Sequence, residues 1–210
     1  MVTAPAVSTP SLEPEDQARA DFYALLARLY AASPDAALLS AIASASELPA
    51  DAGSAAGDAL ARAWRALIDA SAAIDAEAAA AEYQDLFIGV GRSEVSLHAS
   101  AYVKPPGDTP LVAVRTALAR LGLARQMGVN LYEDHLAAVC ETMRALIMGA
   151  GAPAGFTLSQ QRDFFAGHVE PWITLCCGAI NKNAIANYYR VVAQFTQCFV
   201  AIERDSMAIE

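Results

Sequence analysis

Apolar residues recur along most of the chain at spacings of three and four, the repeat of a helix that buries one face. Phe22, Leu25, Leu26, Leu29 and Tyr30 set the pattern first. Pro14 suits the first turn of that helix, and Glu13, Glu15 and Asp16 favour its positive end. Ser33-Pro34-Asp35 ends it, because a residue before proline is pushed out of helical geometry. A short helix then carries Leu38, Leu39 and Ile42, and Pro49 to Gly57 reads as a loop. A third helix repeats the stripe through Leu60, Trp64, Leu67 and Ile68. A fourth, rich in alanine, is predicted from about Asp75 to Phe87 and closes on Tyr83, Leu86 and Phe87.

Residues 89–109 interrupt the helical pattern with Gly89, Gly91, Pro105, Pro106 and Gly107. A loop this long inside a compact domain is usually functional. Helix five carries Leu111, Val114, Leu118 and Leu121, with Gly122 near its end. Helix six is predicted from about Tyr132, through Leu136, Val139, Met143, Leu146 and Ile147 to Gly149. After a loop at 150–155, Thr157-Leu158-Ser159-Gln160 has the form of a capping box that starts helix seven. Pro171 fits the first turn of helix eight, and helix nine runs from about Asn183 to Glu203 on Tyr188, Val192, Phe195, Phe199 and Ile202. No alternating strand and no repeat emerges. The expected fold is all-α: one domain over 14–210, of roughly nine helices, behind a disordered tail at 1–13 rich in Ala, Pro, Ser and Thr.

Composition narrows the function. The chain has 210 residues, 55% of them hydrophobic, which is enough for a substantial core. Lys and Arg are missing before Arg19, and Pro5, Pro10 and Pro14 break any apolar run, so no export signal is expected and the cytoplasm is the expected location. A net charge of −9 disfavours nucleic acid and lipid headgroups and suits a basic partner, although solubility alone accounts for such a charge. Cys140, Cys176, Cys177 and Cys198 form no CxxC pair and read as reduced, buried, small apolar residues. Adjacent Cys176 and Cys177 would point in different directions on a helix.

Several chemistries lack their residues. No Glu-x-x-His pair, HExxH motif, P-loop or Gly-x-Ser-x-Gly elbow occurs. An acidic helical chain without a catalytic constellation reads as a binder rather than an enzyme. The alternative is a helical metal- or cofactor-binding redox protein whose His98, His135, His168 and cysteines converge in space.

Three segments carry a family resemblance. The first is Glu82-Tyr83-Gln84-Asp85-Leu86-Phe87-Ile88-Gly89, the second Asp134-His135, and the third runs from Gln161 to Trp172 as QRDFFAGHVEPW. In this order they resemble the TorD/DmsD/NarJ family of molybdoenzyme assembly chaperones, over about residues 16–205. The stretch 87–95 is most similar to a branch associated with formate dehydrogenases. The family's Glu-Pro-x-Asp-His motif is altered, with Leu131 and Tyr132 at the Glu and Pro positions.

The resemblance implies a non-enzymatic, cytoplasmic chaperone. It would hold the apo form of a molybdoenzyme catalytic subunit, and its twin-arginine signal peptide, until the cofactor is inserted. It implies a peptide-binding set of Tyr83, Leu86, Phe87, Gly89, Asp134 and His135. For Tyr83, Leu86 and Phe87 the competing reading is core packing at i, i+3, i+4. For Asp134 it is a carboxylate at a helix start, and for His135 a structural histidine. His168 and Trp172 read as structural despite their diagnostic segment. The residues call for no cofactor, and binding of GTP or molybdenum cofactor stays open, as does a monomer against a domain-swapped dimer.

Overall fold

A computed structural model describes residues 12–49, 54–89, 91–104, 106–125, 128, 130–150, 152 and 155–208. The tail expected at 1–13 falls outside them apart from Leu12 and Glu13. Among the described residues nine α-helices follow one another: α1 (Pro14–Ala31), α2 (Ala36–Ala43), α3 (Ala55–Ala73), α4 (Ala76–Tyr83), α5 (Pro110–Arg120), α6 (Leu136–Met148), α7 (Leu158–His168), α8 (Glu170–Lys182) and α9 (Tyr188–Ala208). A π-helical turn, Gln84–Ile88, continues α4, and a 3-10 turn spans Ala99–Ala101. The fold is all-α. The one β-type pairing among these residues is an isolated bridge between His98 and His135. No described helix is long and apolar enough to cross a membrane.

Local chemistry places the helix starts. Asp35, Ser54, Asp75 and Thr109 each accept the backbone amide three residues on, relieving a donor with no partner inside its helix. Thr157 and Gln160 form the full reciprocal capping box. Gly149 closes α6 in the left-handed conformation, at φ 67°.

The stripes read from the sequence meet in one core. α1 packs along α6, α3 along α9, α8 along α9, and α2 on α3. Phe22 lies edge-on to Trp64, Phe195 and Phe199, which joins α1, α3 and α9. Tyr30, Tyr83, Phe87 and Tyr189 form a second aromatic group. Such edge-on pairs contribute about 0.5–1.5 kcal/mol each beyond the area they bury. Trp172 is 1% exposed and donates its indole N–H to the His168 carbonyl at 2.7 Å, a structural role that also ties α7 to α8.

One buried charge pair locks α1 to α9. Arg19 grips Glu203 with two donors at 2.7 and 3.1 Å, and the Tyr23 hydroxyl donates to the same carboxylate at 3.0 Å. Burial pulls the Arg19 guanidinium down, but Glu203 and Asp16 outweigh it and hold it above its ordinary value. Removing Glu203 leaves Arg19 to Asp16 at 2.8 Å, whereas removing Arg19 leaves the Glu203 carboxylate, 1% exposed, without a cation. Arg19→Met is therefore expected to cost about 3–5 kcal/mol in urea unfolding, and the paired change Arg19→Met with Glu203→Leu less than about 2 kcal/mol.

Candidate functional site

Helix α4 does not continue to Phe87. It ends at Tyr83, and the π-turn takes over through Ile88. The wider turn sorts the motif onto two faces. Tyr83, Leu86 and Phe87 turn inward, at 9, 0 and 8% exposure. Gln84, Asp85 and Ile88 turn outward, and Ile88 is 51% exposed.

The inward residues have structural work. The Tyr83 hydroxyl donates to the Tyr30 carbonyl at 3.1 Å, and Tyr189 donates to the Leu29 carbonyl at 3.0 Å. Both carbonyls lie in the last turn of α1, where the helix has no amides left to offer them. Glu82, just before the stripe, accepts the amides of Asn187, Tyr188 and Tyr189 at 2.8, 2.9 and 2.8 Å. A carboxylate on these amides satisfies the start of α9 and meets its positive end. Gly89 reverses the chain at φ 64°, where a Cβ would lie 2.2 Å from the Arg92 carbonyl oxygen. No residue with a side chain fits there.

The outward face forms a shallow pocket of about 270 Å³ lined by Gln84, Asp85, Gly89, Arg92, Glu94 and Ile185. Ile185, 43% exposed, comes from the link between α8 and α9, about a hundred residues away in sequence. Exposed Ile185 thus sits with Asp85 and Glu94, and Arg92 is the one cation among the described residues that line the pocket; exposed Ile88 comes just before the lining residue Gly89 in the chain.

Asp134 and His135 are buried and are not among the residues that line this pocket. Helix α6 starts at Leu136, not near Tyr132, because residues 131–135 make a turn in which the His135 amide donates to the Tyr132 carbonyl. His135 is the cap: its Nδ1 accepts the Ala137 amide at 3.1 Å. Asp134 is not a helix-start carboxylate. It is 2% exposed and turns to the loop after the π-turn, accepting from His98 Nδ1 at 3.0 Å, from the Ser100 hydroxyl at 2.5 Å and from the Ser100 amide at 3.3 Å. Burial pushes the Asp134 carboxyl up, but the bonds from His98 and Ser100 outweigh it and hold it at about 2. Burial, with His98 beside it, lowers the His135 imidazole to about 4. Of the residues that replace the family's Glu and Pro, Leu131 is half-buried and Tyr132 is 55% exposed, its ring 6.1 Å from that of His98.

Among the described residues no group of three His, Cys, Asp or Glu side chains is placed to hold a metal ion. The metalloprotein alternative therefore has no ligand set among them. Cys140, Cys176 and Cys177 are buried, while Cys198 is only partly so.

The profile of the nitrate reductase delta subunit family matches residues 54–178, from the start of α3 into α8, more than half of the chain. The chain belongs to that family. The delta-subunit family is one of molybdoenzyme-maturation chaperones of the NarJ/TorD type. No individually curated protein matches the sequence. All three resemblance segments overlap the matched region, and in this delta-subunit fold each has a load to carry: Glu82 to Gly89 at the ends of α1 and α9, Asp134-His135 at the start of α6, and Gln161 to Trp172 across α7 and α8. Glu82, Ser100 and Ile185 were not singled out from sequence. Their partners lie 34 or more residues away, beyond the reach of any local spacing rule.

Two expectations follow. Gly89→Ala forces both a strained backbone and a collision with Arg92, and is expected to lower stability by about 2 kcal/mol or more in urea melts. His135 gives stability a pH window. Unfolded, it titrates near 6.5, so between pH 6.5 and 4 the unfolded chain binds a proton that the folded chain refuses. Stability present at pH 7 is lost as pH falls through that window, by up to about 1.4 kcal/mol per unit. Urea melts at pH 7 and pH 5 should show the loss, and His135→Asn, which can still cap α6, should reduce it.

Proposed function

We propose that the chain is a cytoplasmic redox-enzyme maturation chaperone, and that it holds the leader of an unfinished molybdoenzyme catalytic subunit on the outward face of the π-turn. The observation that carries this reading is the division of the motif. Its apolar stripe is occupied by the core, while Ile88 stays exposed on the turn and exposed Ile185 lines the pocket with Asp85 and Glu94. A twin-arginine leader pairs a basic end with an apolar helix. The helix would lie against the two isoleucines, as in other helix-on-groove contacts, and its arginines would meet the carboxylates. The net charge of −9 steers such a peptide inward over longer range, in spite of Arg92.

Asp134 and His135 contribute at one remove, by fixing the loop that carries Arg92 and Glu94. Likewise Tyr83, Leu86, Phe87 and Gly89 shape the turn that presents Asp85 and Ile88. The similarity of residues 87–95 to the formate-dehydrogenase branch makes a formate dehydrogenase catalytic subunit the first client to try. The chaperone shields the apoprotein from premature export and proteolysis, and cofactor insertion weakens the complex by burying the surface it recognises. It performs no catalysis.

Calorimetry with a synthetic twin-arginine leader tests the site. Asp85→Lys with Glu94→Lys is expected to weaken binding at least ten-fold at low salt, and Ile88→Asp by a similar factor. All these positions are exposed, so thermal stability should stay within about 0.5 kcal/mol of the parent. Unchanged affinity in both variants would remove the leader from this face.

A further inference from the structure

Between the π-turn and the 3-10 turn, residues 95–98 are not helical, His98 is extended, and burial alternates from Val95 through to Ala99. Val95, Leu97 and Ala99 are buried at 4, 4 and 3% exposure, while Ser96 and His98 are only partly covered. Three backbone hydrogen bonds join this strap to the helical body. Val95 N–H donates to the Leu86 carbonyl at 2.9 Å, Leu136 N–H to the Leu97 carbonyl at 2.8 Å, and Ala99 N–H to the Asp134 carbonyl at 2.9 Å. The Ser96 carbonyl accepts from the Tyr102 hydroxyl at 2.7 Å and from the Cys176 thiol at 3.5 Å. Tyr102 in turn stacks on Trp172, with centroids 6.1 Å apart.

This is how an extended peptide is held by strand addition: backbone bonds supply affinity, and alternate side chains fill pockets. Here the peptide is the chain's own, lying in a seam between the π-turn, the start of α6 and α8. Its fastening is polar and close to solvent. The Asp134 lock closes on Ser100, which is exposed, and on His98, whose side chain is 37% exposed. A non-helical segment held by few backbone bonds and a lock at the surface belongs to the parts of a fold that open locally, below the free energy of global unfolding.

We propose that the seam beneath residues 94–102 is a second binding site, which takes an extended apolar segment of an unfinished polypeptide when the strap lifts. The resident strap defines the chemistry of the occupant: apolar or small side chains at every second position, no proline at the bridge, and a free backbone N–H and C=O to meet Asp134 and Leu136. The nature of that occupant rests on the chaperone reading above. The opening of the strap does not, since Cys176 beneath it reports the opening with no client present.

The chain carries its own reporters. Cys176 lies under the strap, whereas Cys140 and Cys177 lie in the helical core beside Tyr23 and Tyr30. Burial pushes the Cys176 thiol up to about 12 and raises Cys140 and Cys177 as well, so none of the three reacts while covered. In protein carrying Cys198→Ser, N-ethylmaleimide labelling at pH 8, mapped by fragmentation mass spectrometry, reads the openings separately. Cys176 is expected to react at least about ten-fold faster than Cys140 and Cys177. Ser100→Ala, which loosens the lock, should raise the Cys176 rate several-fold and leave the other two unchanged. Excess synthetic peptide copying residues 94–103 should slow Cys176 labelling in that variant, and a scrambled peptide should not. If all three cysteines react together at the rate of global unfolding, the strap is fixed core and the proposal falls. If Cys176 opens but the copied peptide gives no protection, the seam is no binding site and the proposal also falls. These rates are read without any leader, so failure of leader binding and failure of the strap proposal remain distinguishable.

Discussion

Helix ends buried in a core must find hydrogen-bond partners there, because water cannot reach them. In this chain one eight-residue segment, Glu82 to Gly89, answers for two helix ends, the buried end of α1 and the part-buried start of α9. Glu82 holds three amides at the start of α9, and Tyr83 reaches a carbonyl in the last turn of α1. The π-turn that follows is a consequence. With Glu82, Tyr83, Leu86 and Phe87 committed inward, the remaining residues of the turn face solvent, and Gly89 must reverse the chain in a conformation closed to side chains. The outward surface on which the functional reading stands is thus set by the inward bonds.

Much of this was legible in the sequence and some of it could not be. The three-and-four spacing of Leu26, Leu29, Tyr30, Trp64, Leu67, Phe195 and Phe199 marked helix faces that do meet in the core. Thr157 and Gln160 marked a helix start through a purely local rule. The errors fall where the partner is remote or unusual. α6 begins four residues later than expected because its cap is a histidine ring nitrogen rather than a hydroxyl or carboxylate. α9 begins at Tyr188, five residues late, because its capping carboxylate comes from Glu82 across the fold. α4 gives way to a π-turn for reasons of tertiary packing that no spacing records. The alternation of Val95, Ser96, Leu97, His98 and Ala99 is visible in the sequence, but five residues among glycines and prolines are too short a run to separate from loop.

The candidate site divides along the same line. Family likeness points to the segment, and burial decides which of its side chains a partner can touch. Tyr83, Leu86, Phe87, Asp134 and His135 build and brace, whereas Asp85, Ile88, Glu94 and Ile185 are the groups presented. Strong family signatures often arise this way, since a residue that satisfies a buried helix end is harder to exchange than one that meets a partner at the surface. Ile185 joins the site only through folding. The π-turn and the link between α8 and α9 come together because Glu82 binds the amides beside it.

The central claim is that a client leader rests on this assembled face. Photo-crosslinking tests it most directly, with a synthetic twin-arginine leader carrying a photoreactive group in its apolar helix and with the crosslinked residues mapped by mass spectrometry. The account predicts crosslinks confined to residues 84–94 and 183–187, two segments remote in sequence and adjacent in space. Crosslinks concentrated instead on α2 and α3, or spread evenly over the surface, would contradict it.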